Sequence, residues 1–295
     1  MLILISDAFD PSLPDKLKTF GEVSTDTDRL AEADVVLVRS KTKCTQEYID
    51  SAPNLKLIVR GGVGIDNIDK EYAESKGIEV RNTPNASSIA VAELAFALML
   101  SIPNHIVVGH NSMQNGEWLK KKLKRTELYG KTLCLVGIGN IATEVAKRAA
   151  AFGMKVVSYD KFVQESKWAE MKPTLEEAVK EADYISLHLP LTESTKGLIN
   201  KDVIAACRKK PVIINTGRGP TVDPHDIKEA LEEGSVSFFA TDVWPSDPPP
   251  SDDPILQAPN TLLTPHIGAN SVENLLRIGN EAYGIIKEAV DGGKL

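Results

Sequence analysis

Short runs of consecutive apolar residues recur along the chain, and between them lie stretches in which apolar residues return every three or four positions. A run of four or five apolar residues bounded by polar or turn-forming ones predicts a strand buried on both faces of a parallel sheet, and the longer period predicts a helix. By this pattern residues 2–5, 35–38, 57–60 and 78–80 are strands, separated by helices over 13–20, 45–51 and 69–76. The alternation pauses at Arg81-Asn82-Thr83-Pro84, where the X-Pro step forces extended backbone. A long helix from Ser88 to about Leu100 follows, with 85–88 as its cap region. Strands near 133, 155, 184, 212, 238 and 262 then alternate with helices near 141, 174, 201 and 225, and the tail from 271 to 290 carries the period of one amphipathic helix. Between them, Lys120-Lys121-Lys122-Leu123-Lys124-Arg125 is a basic run on a loop or short helix over 114–126, read as a solvated face. Repeated βα alternation makes the chain an α/β protein with two doubly wound parallel sheets, the second larger than the first. A chain that begins one domain, completes a second and has one helix left over often returns that helix to the first. No repeat of fixed period occurs, and the proline-rich stretch 244–254 reads as a stiff loop.

One stretch carries chemistry by its local pattern. Leu133 to Val136 is a buried-type strand; Gly137 can take a tight turn, and Gly139 has no Cβ to keep a pyrophosphate from the backbone. The helix from Ile141, preceded by Asn140, points its free N–H groups and positive dipole end toward that phosphate. Ala142 stands where the fingerprint allows Gly or Ala. Asp160 follows 21 residues after Gly139, at the end of the next strand, where a carboxylate accepts hydrogen bonds from both ribose hydroxyls and repels a 2′-phosphate. A dinucleotide site that prefers NAD(H) is the reading. A domain of the same type for another nucleotide, such as a methyl donor, is the alternative.

Composition narrows the partners. The 295 residues exceed one typical domain, and two is the prior. With 42% hydrophobic and 25% charged residues the chain is an ordinary soluble globular protein. A net charge of −7 argues against nucleic acid or an anionic membrane as a partner, so an anionic substrate needs a local basic pocket. Cys44, Cys134 and Cys207 are scattered, without a CxxC pair; this suits a reducing cytoplasm and offers neither a disulfide frame nor a metal site. The five apolar residues at the N-terminus read as a first strand, not a signal peptide, and the longest apolar stretch, Leu94 to Leu100, is far too short to span a bilayer.

Ligands of open α/β sheets bind beyond the carboxyl ends of the strands. Four loops of the second domain qualify: His188-Leu189-Pro190, Asn215-Thr216-Gly217-Arg218-Gly219-Pro220, Thr241-Asp242-Val243-Trp244 running on to Asp247, and Thr264-Pro265-His266-Ile267-Gly268. All four are expected to share one rim with Gly137 to Ile141. Arg218 lies between glycines that leave its planar fork room for bidentate capture of a carboxylate, although pairing with a loop acid stays open. His266 offers the proton donor near neutral pH that a hydride transfer at a carbonyl needs; His188 is the other histidine in such a loop. Asp247 is the candidate to hold the imidazole in one tautomer, with Asp242, Asp252 and Asp253 as competitors.

Together these stretches resemble the D-isomer-specific 2-hydroxyacid dehydrogenases over nearly the whole chain. The signatures are 182–190 continuing to Asn200, 215–219 continuing to Asp223, Asp242-Val243-Trp244, and Pro265-His266-Ile267-Gly268-Ala269. The resemblance implies a Rossmann-like NAD-binding domain, residues 85–268, inserted in a smaller flavodoxin-like substrate domain made of 1–84 and 269–295. It implies Arg218, Asp247 and His266 as the catalytic set, and cofactor contacts from Gly137, Gly139, Asn140, Ile141, Asp160, Leu189, Pro190, Thr216, Gly217, Asp242 and Gly268. Asp242 is expected at the carboxamide end of the nicotinamide. Within the family, the stretches 38–45, 60–69 and 82–88 are similar to those of D-3-phosphoglycerate dehydrogenases. By that likeness the backbone N–H groups of Gly61, Gly62 and Val63 grip the substrate carboxylate, and Arg39, with Lys43 or Arg60, lies toward a phosphate. Lys120 sits where relatives lend a basic residue across a homodimer built by the first helix of the cofactor domain and the loop after it.

The implied reaction is NAD-dependent oxidation of D-3-phosphoglycerate to 3-phosphohydroxypyruvate, the start of serine synthesis. A glyoxylate or hydroxypyruvate reductase and an NAD-sensing corepressor-like binding protein are the alternatives. Two departures stand out: the family acid is usually Glu where this chain has Asp247, 29 residues after Arg218 and 19 before His266, and the chain ends without the regulatory domain many such enzymes carry. The shorter acid implies a loop moved inward or a weaker pairing with His266, and feedback by serine through such a domain is not expected.

Overall fold

A computed structural model describes residues 1–295, which divide into two compact units: Met1–Ala90 with Ala269–Leu295, and Val91–Gly268. In the first unit the chain runs β1 (Leu2–Ile5), α1 (Leu13–Leu17), β2 (Glu22–Ser24), β3 (Val35–Val38), α2 (Gln46–Asp50), β4 (Leu57–Arg60), α3 (Lys70–Ser75) and β5 (Glu79–Asn82). The strands form one parallel sheet in the order β2-β1-β3-β4-β5, the flavodoxin-like winding. Successive side chains of a strand point to opposite faces. Ile3, Ile5, Val35, Leu37, Leu57 and Val59 therefore meet α1 and the C-terminal helix, while Leu4, Val36, Val38 and Ile58 meet the layer of α2 and α3. Both faces being covered explains why these strands read as unbroken apolar runs. Strand β2 has no such signature: it is a three-residue edge strand in which Val23 alone packs on the core.

The C-terminal helix, Val272–Asp291, belongs to this first unit. Its buried stripe of Ile278, Ala282, Ile285, Ile286 and Ala289 follows the helical period, and each fully buried isoleucine contributes roughly 2 kcal/mol. The same helix ties down the segment after β5. Glu281 accepts from the Ala86 N–H at 3.1 Å, Arg277 donates to the Ala86 carbonyl at 3.0 Å, and buried Asn274 donates to Ser87 Oγ and to the Ala269 carbonyl at 3.2 and 2.7 Å. These ties hold 85–90 in the first unit, so the break falls after Ala90 and not after Pro84.

The second unit follows with α4 (Ser88–Ser101, entered at Val91), α5 (Ile106–Gln114), β6 (Thr132–Val136), α6 (Asn140–Ala151), β7 (Lys155–Tyr159), β8 (Glu170–Met171), α7 (Leu175–Val179), β9 (Tyr184–Leu187), α8 (Lys201–Ala206), β10 (Val212–Asn215), α9 (Pro224–Glu233), β11 (Phe238–Thr241) and β12 (Thr261–Leu263). Its seven parallel strands are ordered β12-β11-β10-β9-β6-β7-β8, so the winding reverses beside β6, at the switch point where such sheets bind ligands. Register makes the strand ends level. Val136 pairs with Tyr159 and Leu187, Leu187 with Asn215, Asn215 with Thr241, and Thr241 with Leu263. The next residue of each strand therefore stands in one row: Asp160, Gly137, His188, Thr216, Asp242 and Thr264. Helix α5 lies outside the predicted elements. It is entered through a left-handed His105 (φ 53°), and its apolar residues face outward, leaving no amphipathic signature to read. The basic run after it is exposed turn.

Candidate active site

The glycine turn after β6 is forced by two constraints. Gly137 has φ +88°, and a Cβ there would lie 2.9 Å from the His188 carbonyl oxygen and from Leu189 Cδ2. Gly139 caps α6 with no side chain of its own, and a Cβ there would meet nothing within 4 Å. Open space at a helix N-terminus whose cap contributes no side-chain acceptor fits a pyrophosphate. At the row's end, Asp160 accepts from the Ile138 N–H at 3.0 Å with one oxygen, and from Phe162 and Val163 at 2.8 and 3.1 Å with the other. Three of about four acceptor positions are thus taken by backbone. The carboxylate is locked beside the turn, with less capacity for two ribose hydroxyls than expected and its charge still opposed to a 2′-phosphate. Asn140 and Ile141 open α6. Leu189 packs between two glycine turns: its backbone oxygen would be 3.1 Å from a Cβ on Gly217, and Pro190 follows, exposed. Thr216 is buried with its hydroxyl unpartnered, an orphan polar atom of the kind a bound ligand or water satisfies.

Arg218 leaves β10 through this turn, half-buried, and donates to the Gly217 carbonyl at 2.7 Å. Gly219 is required by close approach: a Cβ there would sit 2.4 Å from the Trp244 main chain. Trp244 in turn donates its indole N–H to the Thr264 carbonyl at 3.0 Å, so one residue, through its main chain on Gly219 and its side chain on Thr264, joins the loop of Arg218 to the loop of His266. His266 adopts φ 54°, a left-handed conformation for a non-glycine residue. Its Nδ1 lies 2.5 Å from Asp247 Oδ2, both side chains remaining partly exposed at 36% and 43%. The competing acids are elsewhere. Asp253 caps the short helix 254–257, and Asp242 is buried, accepting from Thr264 Oγ1 (2.7 Å), Ile267 N–H (2.8 Å) and Gly268 N–H (2.7 Å). The shorter acid at 247 thus reaches the ring at full hydrogen-bond contact. Asp242, expected at a carboxamide, holds its own chain.

His188 carries the unit's strongest perturbation of an imidazole. Its Nε2 shares a 2.9 Å hydrogen bond with buried Ser186 Oγ, its Nδ1 is buried without a partner, and burial pushes its pKa down to about 4. It is neutral at pH 7 and therefore no proton donor there.

In the first unit, Gly61 and Gly62 are buried, and two of the three amides expected to grip a carboxylate are already engaged. The Gly61 N–H continues the β3–β4 ladder onto the Val38 carbonyl at 2.8 Å, and the Gly62 N–H closes onto the Arg60 carbonyl at 3.0 Å. That leaves Val63, 38% exposed, as the residue of the three whose amide has no backbone acceptor. Arg39 is half-buried and donates to the carbonyls of Ala8 and Ala269 at 3.2 and 3.4 Å, with desolvation lowering its pKa. Asp7 holds the turn around it, accepting from the Arg39 N–H at 2.5 Å and from Thr42. The Arg60 guanidinium folds over Gly62, while Lys43 and Lys120 are exposed on their loops. Asn215, Ser186 and Trp244 stand inside the motifs quoted from the sequence but carry no role there, and Asp7 lies outside them; of the four only Asn215, in Asn-Thr-Gly, carries a local signal, that of an Asx turn.

The geometry stands beside clear relatives. Residues 96–268 match the family model of the D-isomer specific 2-hydroxyacid dehydrogenase NAD binding domain. The chain is 46% identical to a hydroxypyruvate reductase of Thermotoga maritima over 85% of its length and 83% of that protein's. It is 41% identical to a D-3-phosphoglycerate dehydrogenase of Methanocaldococcus jannaschii over 98% of its length, spanning only 57% of that protein. Its fold superposes with a TM-score of 0.86 on D-lactate dehydrogenase from Aquifex aeolicus, solved with NAD and lactic acid, at 29% identity over 99% of this chain and 96% of that one. The chain belongs to the D-isomer-specific 2-hydroxyacid dehydrogenases, and its second unit is their NAD-binding domain.

Proposed function

We propose that this protein oxidises D-3-phosphoglycerate to 3-phosphohydroxypyruvate and runs the reverse reduction, with Arg218, Asp247 and His266 as its catalytic residues. The observation that carries the reading is the 2.5 Å contact of His266 Nδ1 with Asp247, which leaves Nε2 as the ring atom for proton transfer. In oxidation, Nε2 takes the proton of the substrate hydroxyl. Asp247 holds the ring in the tautomer with Nδ1 protonated and stabilises the imidazolium that forms. Arg218 binds the substrate carboxylate and polarises the incipient carbonyl. NAD, held by the turn at Gly137 and Gly139, by Asp160 and by the 188–190 and 216–217 loops, supplies the hydride acceptor when bound. The Val63 amide assists with the carboxylate. Arg39, a half-buried guanidinium donating to carbonyls, draws the phosphate, with Lys43 and Arg60 near it in sequence or sheet position. A homodimer through α5 and the loop to Trp118 is part of the same proposal. It is supported by the exposure of Ile106 (57%), Met113 (56%) and Trp118 (74%), and Lys120 of that loop is assigned to the facing subunit's substrate.

A second reading, reduction of hydroxypyruvate or glyoxylate, is favoured by the 46% identity to a hydroxypyruvate reductase. Steady-state NADH oxidation with 3-phosphohydroxypyruvate, hydroxypyruvate and glyoxylate separates them. A kcat/KM for the phosphate ester at least about tenfold above the others is expected. Parity or the reverse order establishes the second reading, and NADH binding without turnover of any of the three leaves the corepressor-like one.

A further inference from the structure

The proposed chemistry needs a guanidinium and an imidazole presented from two separate loops, and the molecule sets both from beneath. The geometry points to Asn215 and Asp242 as a coupled pair of positioning residues: one buried amide sets the loop of Arg218, and one buried carboxylate sets the turn of His266. This rests on the catalytic assignment above.

Asn215 ends β10 and is fully buried. Its Oδ1 accepts from the Gly217 N–H at 3.1 Å, and its Nδ2 donates to the Arg218 carbonyl at 2.9 Å. Thr221 Oγ1 donates to the same carbonyl at 2.6 Å and lies 3.4 Å from that Nδ2. The backbone of Arg218 is thereby fastened on both sides of its Cα. On the neighbouring strand, Asp242 gathers Thr264 Oγ1 and two successive amides, Ile267 and Gly268. Successive N–H groups converge on one anion when a left-handed residue is part of the turn, and here that residue is His266, at φ 54°. The concavity that elsewhere takes a bound anion is filled by the chain's own carboxylate. Gly268 must be glycine for this, since a Cβ would lie 2.9 Å from Asp242 Oδ2. About one acceptor position of Asp242 remains for any other partner. The two clamps are joined directly: the Asp242 N–H donates to the Asn215 carbonyl at 3.0 Å, Thr241 Oγ1 reaches the same carbonyl at 3.3 Å, and the Thr264 N–H donates to the Thr241 carbonyl at 3.0 Å. Arg218 and His266 are therefore registered against each other through buried hydrogen bonds that run across β10, β11 and β12.

Near-isosteric variants test this. Asn215→Asp keeps the acceptor for Gly217 but turns an acceptor on the Arg218 carbonyl; Asp242→Asn replaces one acceptor with a donor facing N–H groups. Asn215→Asp is expected to hold NADH affinity, measured by protein-bound NADH fluorescence, within about threefold of the parent. Asn215→Asp is expected to raise KM for hydroxypyruvate by at least about tenfold with the pH profile of turnover in place. Asp242→Asn is expected to lower kcat by about 100-fold, the scale of an ångström's misplacement, and to move both the pH profile and the His266 ring signals in 1H–15N spectra. Thr264→Val, which removes one donor to Asp242, is expected to act in the same direction less strongly. Asp242→Asn that leaves the His266 ring signals and the pH profile unmoved overturns the proposal whatever it does to NADH affinity, as does Asn215→Asp with an unchanged KM. A parent enzyme that turns over no 2-oxo acid removes the catalytic reading alone, because the ring signals report the clamp without turnover.

Discussion

Replacing His188 with glutamine removes a titrating group from the interior while leaving a side chain able to hydrogen-bond Ser186, and the consequence can be worked from the structure. Burial lowers the imidazole pKa from 6.5 to about 4 in the folded protein, whereas the unfolded chain keeps the ordinary value. Between those two values the unfolded state binds the extra proton, so stability rises with pH across this window and is lost as pH falls through it. At 1.36 kcal/mol per pH unit the full difference is about 3 kcal/mol, reached below pH 4, and about 2 kcal/mol of it is already lost between pH 7 and pH 5. Parallel urea unfolding of the parent and His188→Gln at pH 7 and pH 5 gives the quantity directly as a difference of differences, in which the carboxylates common to both proteins cancel. The variant is expected to be less sensitive to this acidification by about 2 kcal/mol. In 1H–15N spectra the His188 ring is expected to stay neutral down to pH 5. A ring that titrates near 6.5, or equal acid sensitivity of the two proteins, means that the pocket around Nδ1 admits water and that the burial argument is wrong.

Two further perturbations follow from the same coordinates. Gly137→Ala combines a positive φ with a Cβ pressed to 2.9 Å against the His188 carbonyl, and is expected to cost about 2 kcal/mol in urea unfolding and to weaken NADH by at least about tenfold; parent-like values for both remove the case for that turn as the pyrophosphate seat. Met113→Glu places a charge in the exposed apolar face of α5 and is expected to give monomers by light scattering at concentrations where the parent is dimeric, while a parent that is itself monomeric ends the dimer proposal.

The alternation of strands and helices, the glycine turn and the acid that follows it were readable from the chain alone, because each depends on residues within a turn or two of one another. Strands covered on both faces must be apolar throughout, and a backbone at φ +88° selects glycine. Elements without such a local demand were not readable. The edge strands β2 and β8 bury too little to be patterned, and α5 turns its apolar residues outward, so no stripe marks it. The site shows the same division. That His188, Arg218, Asp242 and His266 follow strand ends on one rim comes from sequence period and the winding rule. Which of four nearby acids meets His266, which amides of 61–63 are already engaged, and that Asp242 turns on residues 267 and 268 were decided by tertiary structure. Apart from the Gly62 turn onto Arg60, those partners lie 19 to 26 residues apart, as in His266 with Asp247 and Gly268 with Asp242. A hydrogen bond is lost over less than an ångström, and across such separations only the path of the folded loops sets distances that finely.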